Sequence, residues 1–456
     1  MKKPVIVFLA RQYYFLYTVF LIFAFSGCTC EKASELPVSQ QPAREPVAWL
    51  KGAIIARIEI PQQENERTFK HIAEKVSVIK DAGFTVIWLS CVFPISSLYP
   101  RQERTDPVPV EDFLKVEEDY GTLDDFKSLV HTVHAAGLHV VIDVAAKYTA
   151  WDSKLVMEHP DWFRANDEGG IISPNNEWSD VADLNYEHHE LRKYMIEALK
   201  FWVHDAGVDG FAFQKAEMVP LDFWVRARKE VELIRPVVFL AQSNLPKHYL
   251  EAFDAGYSND GGIPSFEPGE TTTSFAQMIE EEEASYPRGS TRLRFSSVAS
   301  DFPQPIAKQS KEDSLATEKT VSAYLLPGLP VKVLNFERLL TGAESLPTDL
   351  QISKRLAKLR NDYAAVFQSD VTDVKLSEQA TLVAFERKSQ NIRILTLLNY
   401  SPDPQNVVLQ LPQNFQGDFQ DYLMSSTVHP KNSKIDIRLA PFAAKILIRQ
   451  TKEVMP

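Results

Sequence analysis

Apolar strand-like runs alternate with amphipathic helical stretches over most of this chain, and this alternation restricts the fold more than any other feature. Phe69–Ala82 has helical spacing and stops at Gly83, a favourable helix C-cap. Phe84–Leu89 is continuously apolar, as expected for a strand covered on both faces. The other strand-like runs are Ala53–Ile60, Leu138–Val144, Val208–Phe213, Val237–Ala241, Phe253–Tyr257, Leu293–Phe295 and Val331–Leu334. This pattern of strand–helix units predicts an α/β fold, a closed (β/α)8 TIM barrel.

The pattern changes from about Gln368, where short strands follow one another without helical spacing. They are Ala380–Arg387, Ile392–Leu398, Val407–Leu411, Ile435–Leu439 and Ala443–Ile448, and they predict a C-terminal antiparallel β-sandwich. A length of 456 residues fits a barrel of about 250 residues with a smaller module. The predicted organisation is a signal peptide over 1–27, a flexible tether over 28–47, a barrel over 48–367 with a short subdomain at about 145–187 after the third strand, and the sandwich over 368–456.

The N-terminus reads as an export signal. Basic residues precede an apolar run, Tyr13–Phe25, which is followed by Ser26-Gly27-Cys28. The run is shorter than the roughly 20 apolar residues of a membrane span and is typical of a signal peptide. Small residues before Cys28 resemble a bacterial lipoprotein cleavage site, so we predict a lipidated Cys28 and attachment at the bacterial cell envelope, on the periplasmic or the surface face. A plain signal peptide and an uncleaved anchor are the alternatives. Glu31–Pro46, rich in Pro, Gln, Ser and Glu, predicts the tether.

Charge and cysteine content exclude some classes of function. The net charge of −12 disfavours a nucleic-acid partner. The cysteines are Cys28, Cys30 and Cys91, and Cys91 follows a predicted strand as a buried thiol. A single cysteine in the folded part leaves no disulfide framework and no cysteine-based metal site. We predict neither a cofactor nor a metal.

One stretch, Val208–Pro220, carries a resemblance to a known family. Gly210, Phe211 and Ala216 fit Gly-Phe-Arg-x-Asp-x-Ala, the fourth barrel strand of the alpha-amylase superfamily, and the chain resembles that superfamily from about Trp49 to Arg449. Further matching segments are Thr85–Ser90, Asp119–Phe126, Val181–Asn185 and Leu326–Pro330. The resemblance implies a TIM-barrel glycoside hydrolase scaffold related to α-glucan hydrolases.

The two carboxyl groups of that chemistry are absent at the matching positions. A retaining glycosidase needs one carboxylate as nucleophile and a second as acid/base. In the superfamily the nucleophile lies on strand four and the acid/base on strand five, where this chain has Gln214 and Gln242. An amide can neither donate a proton at neutral pH nor act as a general base. Ala212 also replaces the Arg that orients the nucleophile. We therefore predict a degenerate member of the superfamily, a pseudoenzyme.

Other positions of the resemblance are partly retained. The third-strand motif begins at Asp143, but Lys147 replaces an Asn that helps bind calcium, and Tyr148 replaces a His that contacts sugar. In the seventh-strand motif Asp301 stands at the transition-state-stabilising carboxylate, while Ser300 replaces another sugar-contacting His. For Asp143 the simpler interpretation is a structural carboxylate paired with Lys147. With Lys147 in place of an oxygen ligand, a calcium site is not expected.

The long loop after the third strand contains aromatic residues that could stack on a sugar ring. Trp151 is the candidate platform, and packing of the subdomain is the alternative; Trp162 and Trp178 lie in the same loop. The candidate substrate-binding residues are Asp143, Tyr148, Trp151 and Asp301. Asp209 matches a structural position in the family, and Glu217 is expected on the solvent side of the turn after strand four.

Three hypotheses follow for function. The first is a catalytically inactive, amylase-like envelope lipoprotein that binds an α-glucan, another glycan or an envelope protein. The second is an active α-glucoside hydrolase or transferase with displaced catalytic carboxylates, which needs a carboxyl pair roughly 5–10 Å apart at the barrel mouth. The third is an ancillary subunit of a membrane transporter, similar to the amylase-like heavy chains of amino-acid transporters, with Cys28 or Cys30 as a candidate partner disulfide.

Overall fold

The computed structural model describes residues 36–60, 68–90, 92–96, 98, 108–258, 275–296, 319–336, 339, 348–374, 382–411 and 417–450. Outside these residues lie Cys28, Cys30, Cys91, Ser300 and Asp301, together with the predicted signal peptide. What the sequence predicts for them stays a prediction. Within the described part, no helix has both the length and the apolar character needed to cross a membrane.

Parallel strands close into a barrel in the part of the chain before residue 336. The described strands there are β1 (Ile55–Glu59), β2 (Val86–Leu89), β3 (His139–Val144), β4 (Tyr148–Ala150), β5 (Val181–Asp183), β6 (Gly210–Phe213), β7 (Val238–Gln242), β8 (Ala255–Tyr257), β9 (Thr291–Phe295) and β10 (Leu329–Asn335). The barrel order is β1-β10-β9-β8-β7-β6-β3-β2, with β2 paired to β1, and neighbouring strands are parallel. The predicted TIM barrel is confirmed.

Helices cover the outside of the barrel. The described ones are α1 (Thr68–Asp81), α2 (Leu123–Ala135), α3 (Lys154–Glu158), α4 (His189–His204), α5 (Leu221–Glu232), α6 (His248–Glu251), α7 (Phe275–Ser285) and α8 (Thr348–Asp362). Gly83 follows α1 with φ +90°, and a Cβ at this position would lie 2.5 Å from the Cβ of Ala357. A glycine is therefore required both for the left-handed backbone and for the close approach of α8.

The C-terminal part is made of antiparallel sheets, as predicted. Its strands are β11 (Thr372–Asp373), β12 (Leu382–Lys388), β13 (Ile392–Asn399), β14 (Gln405–Gln410), β15 (Phe419–Asp421), β16 (Ser426–Val428), β17 (Lys434–Leu439) and β18 (Ala444–Gln450). Six form one sheet in the order β11-β12-β13-β18-β15-β16, and β14 pairs with β17. One face of the larger sheet, with Leu395 and Leu397, packs on the β14–β17 pair; the other, with Ile394 and Leu398, belongs to the barrel's outer core.

The residues before β1 lie along the N-terminal face of the barrel. We call residues 36–46 the strap. The backbone N–H of Arg288, three residues before β9, donates to the carbonyl of Gln41 at 2.9 Å, and Ala43 donates to the carbonyl of Arg288 at 2.9 Å. The sequence predicts a flexible tether over 28–47, but these backbone hydrogen bonds hold its described part against the barrel. Composition alone does not reveal such contacts, because the partner strand is distant in the chain.

Side chains add to this attachment. Arg44 forms ion pairs with Glu232, the last residue of α5, and with Asp254, whose Oδ1 lies 3.4 Å from the Arg44 Nε. Asp254 also accepts from the buried Arg228 at 2.5 Å. Further along, Leu50 is buried in the interior core of the barrel. The strap and the residues after it therefore cover the base of the barrel.

Candidate functional site

The mouth of the barrel, at the C-terminal ends of its strands, contains a buried cluster around Asp143. Its Oδ1 accepts a hydrogen bond from Trp88 Nε1 at 2.6 Å, and its Oδ2 lies 3.4 Å from both Arg57 Nη2 and Gln214 Nε2. Arg57 lies on β1, Trp88 on β2 and Asp143 on β3, and Gln214 directly follows β6. These four strands are consecutive in the barrel. Alternate residues of barrel strands point inward and stack in layers, so the topology brings the four side chains together. We call them the Asp143 cluster.

The Asp143 cluster contains a buried ion pair. Arg57 is 7% exposed and Asp143 is 3% exposed. The Arg57 guanidinium also lies 5.1 Å from the centre of the Trp88 ring and 3.6 Å from Glu59 Oε1. Burial raises the pKa of Asp143, while the Arg57 cation and the hydrogen bonds from Trp88 and Gln214 oppose that rise. Both carboxylate oxygens are occupied, so Asp143 is positioned as a structural group and not as a free catalytic carboxylate.

Gln214 and Gln242, the two positions that the sequence resemblance assigns to catalytic carboxylates, lie at the mouth with their amides hydrogen-bonded. Gln214 donates toward Asp143, and the Oε1 of Gln242 accepts the backbone N–H of Lys215 at 3.0 Å. Lys215 makes this bond in a left-handed conformation, with φ +48°. Its ammonium group lies 5.7 Å from the centre of the Trp178 ring. The amides therefore help to fix the loop after β6, and neither can perform acid/base chemistry.

The residues that carry the resemblance to a fourth barrel strand, Gly210, Phe211 and Ala216, have packing roles in the structure. A Cβ at Gly210 would lie 2.3 Å from the carbonyl oxygen of Val238 on β7, so only glycine fits there. Phe211 is buried in the core outside the barrel, and Ala216 accepts a hydrogen bond from Trp224 Nε1 at 2.9 Å. Ala212 is buried in the interior core of the barrel. Gly210, Phe211, Ala212 and Ala216 therefore serve the packing of the barrel.

Lys147 pairs with Asp183 and not with Asp143. The Lys147 ammonium contacts the carboxylate of Asp183 on β5 and donates to the carbonyl oxygen of Leu184 at 3.2 Å. The predicted Asp143–Lys147 pair is therefore wrong, because Arg57 on β1 is the cation nearest to Asp143 in the barrel interior. Burial lowers the pKa of Lys147, and the Asp183 carboxylate opposes that change. Among the described residues, no group of three or more His, Cys, Asp or Glu side chains is arranged to hold a metal.

We expect a chelator to leave the melting temperature of the protein unchanged, because an ammonium group already lies between the Asp183 carboxylate and the Leu184 carbonyl. Calorimetry with and without EDTA tests this. Lys147→Asn serves as the control and should lower the free energy of unfolding, because the buried Asp183 carboxylate then keeps only the partly exposed Arg164 as a cationic partner, at 3.8 Å. A lower melting temperature of the unmodified protein in EDTA, restored by calcium, would contradict the prediction.

The aromatic residues of the long loop have mixed positions. Trp151 is half-buried, and its Nε1 donates to the carbonyl of Ser179 at 2.9 Å. Tyr148 is fully buried on β4 and packs edge-on against Trp178 at 6.0 Å. Trp162 is buried and stacks on His159 at 3.9 Å, which agrees with a structural role. Trp151 and Trp178 therefore keep partly accessible ring surface near the mouth, whereas Tyr148 does not.

Two acidic residues beside the fourth strand lie at opposite ends of the barrel. Asp209, before β6, accepts from His134 Nε2 at 2.7 Å and from Arg235 at 2.8 Å. Burial favours a higher pKa for Asp209, but hydrogen bonds from His134, His139 and the Val140 N–H hold the pKa well below its usual range. Glu217 is exposed in the turn after β6, as predicted, and its Oε2 accepts from Asn244 N at 3.4 Å. Asp209 is thus structural, and Glu217 is a solvent-facing carboxylate near the mouth.

A cavity of about 590 Å³ lies beside the mouth, between the subdomain and the loops after β6 and β7. Its lining includes Lys147, Tyr186, Glu217, Leu221 and His248. The volume is in the range of cavities that hold a small ligand, roughly 300–1,000 Å³. His248 is buried, and burial lowers the pKa of its imidazole below the ordinary value, while the Glu217 carboxylate opposes that change. The cavity therefore presents charged, aromatic and apolar side chains beside the loops that follow Gln214 and Gln242.

Sequence reasoning missed Arg57 and Lys215. A signal for Arg57 exists: it lies at an inward position of the short strand Ile55–Glu59, two residues after the buried Ile55. A charged residue inside a parallel barrel strand requires a buried partner, because an unpaired charge there is costly. For Lys215 the sequence contains no comparable signal, since its role depends on backbone conformation.

Known proteins resemble this chain across the barrel and beyond it. Residues 61–180 match the family described as "Alpha amylase, catalytic domain". Neopullulanase 2 of Thermoactinomyces vulgaris is 22% identical over 422 residues, which are 83% of this chain and 70% of that enzyme. The structure of a maltogenic alpha-amylase from Thermotoga neapolitana superimposes with a TM-score of 0.72 at 23% identity, covering 88% of this chain and all of that one. For an alpha-amylase of Geobacillus thermoleovorans complexed with acarbose the TM-score is 0.65 at 19% identity, over 90% of this chain and all of the other.

Proposed function

We propose that this chain, whose residues 61–180 match the alpha-amylase family, binds an α-glucan or a related glycan without cleaving it. The binding occurs at the bacterial cell envelope, where lipid on Cys28 anchors the protein. An envelope protein is the alternative ligand of the same surface.

The observation that carries this proposal is the state of the catalytic positions. The sequence resemblance assigns the positions of two catalytic carboxylates to Gln214 and Gln242, and both amides are hydrogen-bonded to neighbouring groups. The Asp143 carboxylate is neutralised by Arg57. The mouth keeps hydrogen-bonding groups and the aromatic surface of Trp151 and Trp178, which suit a neutral polyhydroxylated ligand. Binding without cleavage is what remains when the carboxylates are lost and the scaffold is kept.

The glycan itself is inferred from relatives. The Geobacillus thermoleovorans alpha-amylase was solved with acarbose, as was a debranching enzyme of Nostoc punctiforme. Acarbose contains a basic nitrogen at the cleaved position, and a carboxylate pair favours its protonated form. This chain has amides at those positions, so it should prefer neutral linear malto-oligosaccharides of the same length to acarbose.

Isothermal titration calorimetry with maltotetraose, maltoheptaose and acarbose tests the binding. We expect measurable binding of the malto-oligosaccharides, no tighter binding of acarbose, and weaker binding in the Trp151→Ala and Trp178→Ala variants. Trp224→Phe, a change in a fully buried ring, is the control for altered packing. Absence of binding to these sugars and to a glycan array would reject the glycan and favour a protein ligand.

Attachment is tested separately. Growth with a fatty-acid analogue should label the protein, because Ser26-Gly27 precedes Cys28 as in a lipoprotein cleavage site. Cys28→Ser should abolish the label, and Cys30→Ser should leave it unchanged. Labelling that persists in Cys28→Ser and is lost in Cys30→Ser would transfer the modification to Cys30, and labelling of neither would reject lipidation.

A further inference from the structure

The strap joins the barrel at its base, on the side opposite the mouth. Its backbone bonds to Arg288, in the segment leading into β9 from the N-terminal side. Arg44 pairs with Glu232, where α5 ends, and with Asp254, just before β8 begins. Helices of this barrel run from the mouth to the base, so the end of α5 and the start of β8 both mark the base. The chain therefore enters the fold at the N-terminal face of the barrel.

Several independent contacts hold this entry point. Asp254 has a fully buried side chain, and it binds Arg44 and Arg228 together. After the strap, the ring of Trp49 stacks on His139, the first residue of β3, at 4.0 Å. A segment held by backbone hydrogen bonds, partly buried ion pairs and an aromatic stack does not detach easily from the base, because these contacts must be lost together.

Chain length then limits the distance between the base and Cys28. Eight peptide units separate Cys28 from Leu36, since 36 − 28 = 8. Even fully extended they span at most about 29 Å. The barrel is about 24 Å tall, as judged from α4 with its 16 residues at 1.5 Å each. To bring the mouth to the anchor, the linker would have to run the height of the barrel almost fully extended.

We propose that the N-terminal face of the barrel faces the lipid surface and that the mouth opens away from it. This inference rests on the proposed lipid anchor at Cys28. The partner of the base is the membrane surface, and the mouth is left accessible to a long ligand from the aqueous side. A polymeric glycan would then reach the Asp143 cluster and the neighbouring cavity without displacing the anchor.

Energy transfer to labelled lipids tests this orientation. The full chain is purified from membranes, reconstituted into phosphatidylcholine vesicles that contain an acceptor-dye lipid, and labelled with a donor through an unnatural amino acid. One label replaces the exposed Lys51 at the base, and the other replaces the exposed Glu177 in the loop over the mouth. We expect clearly greater transfer from position 51 than from position 177. Inserting 20 Gly/Ser residues between Glu35 and Leu36 should reduce the difference, because a flexible insert of that length alone reaches about 22–27 Å.

The outcomes separate the two inferences. Equal or greater transfer from position 177 in the uninserted protein would overturn the orientation and leave the anchor in place. Absence of transfer from both positions would show that the protein is not held at the lipid surface, and would overturn the anchor and the orientation together.

Discussion

The purified protein is expected to release no reducing sugar from starch, pullulan or cyclodextrins. General acid–base catalysis contributes about 10²–10⁴-fold to such reactions, and Gln242 cannot supply it. The covalent step is lost as well, because Gln214 is not a competent nucleophile. The Asp143 carboxylate, whose Oδ2 lies 3.4 Å from Gln214 Nε2, is held by Arg57 and Trp88. A reducing-sugar assay with the Cys28→Ser protein and a relative such as a neopullulanase as positive control measures this.

Restoring the two carboxylates with Gln214→Asp and Gln242→Glu is expected to return little activity. Glutamate at 242 has the shape of glutamine, but its oxygen would still accept the Lys215 N–H. Aspartate at 214 is one methylene shorter than glutamine, and it would meet the negative charge of Asp143, which favours shared protonation. The orienting arginine is absent at Ala212, in the closed interior of the barrel. Groups that act as a unit recover only together.

The more demanding variant adds Ala212→Arg, Tyr148→His and Ser300→His. Because Ala212 is paired in register with Asp143, the new cation would also compete with Arg57, so Arg57→Met belongs in this variant. Weak α-glucosidase activity there would support descent of the site from an active one. Robust turnover by the unmodified protein, abolished by Asp301→Asn or Glu217→Gln, would instead establish the hydrolase with displaced carboxylates.

Arg57→Met is expected to lower the free energy of unfolding of the barrel by about 3–5 kcal/mol, because it leaves the buried Asp143 carboxylate without its cation. The double variant Arg57→Met/Asp143→Asn should lose less than the sum of the two single variants, by about 0.5–3 kcal/mol. Tryptophan fluorescence in urea is a suitable probe, since the seven tryptophans all lie between residues 49 and 224 and report on the barrel and its subdomain.

An exposed ion pair is the matched control for this cycle. Lys358 pairs with Asp362 Oδ2 at 2.7 Å on the surface of α8. Lys358→Met should leave the midpoint unchanged, because exposed pairs in one helix contribute little. Additive losses from Arg57→Met and Asp143→Asn would contradict the assignment of the Asp143 cluster as one electrostatic unit.

The fold could be predicted because it depends on patterns that local sequence records. Apolar runs such as Phe84–Leu89 identify strands covered on both faces, and Gly83 marks a helix end whose backbone only glycine adopts easily. The attachment of the strap could not be predicted in the same way. It depends on Arg44 meeting Asp254, a contact between residues more than 200 positions apart, and composition reports only that a segment is polar.

For the site, sequence located the positions but not the partners. Gln214 and Gln242 follow predicted strands, so the barrel topology alone places them at the mouth. The partner of Asp143 was predicted to be Lys147, four residues away, because proximity in sequence is the available guide. The structure selects Arg57 instead, since adjacent strands of a closed barrel bring distant residues into one layer.

The Lys147–Asp183 pair has a consequence for where this protein can work. A bound calcium ion stabilises a fold by an amount that depends on its free concentration, by mass action. The lysine ammonium is part of the chain, so its contribution to the stability of the fold does not depend on the concentration of any ligand. It cannot be diluted, exchanged or removed by a competing ligand. The geometry between Lys147 and Asp183 on β5 should therefore stay constant over any range of free calcium concentration, and calcium binding at this point could not serve to regulate the protein.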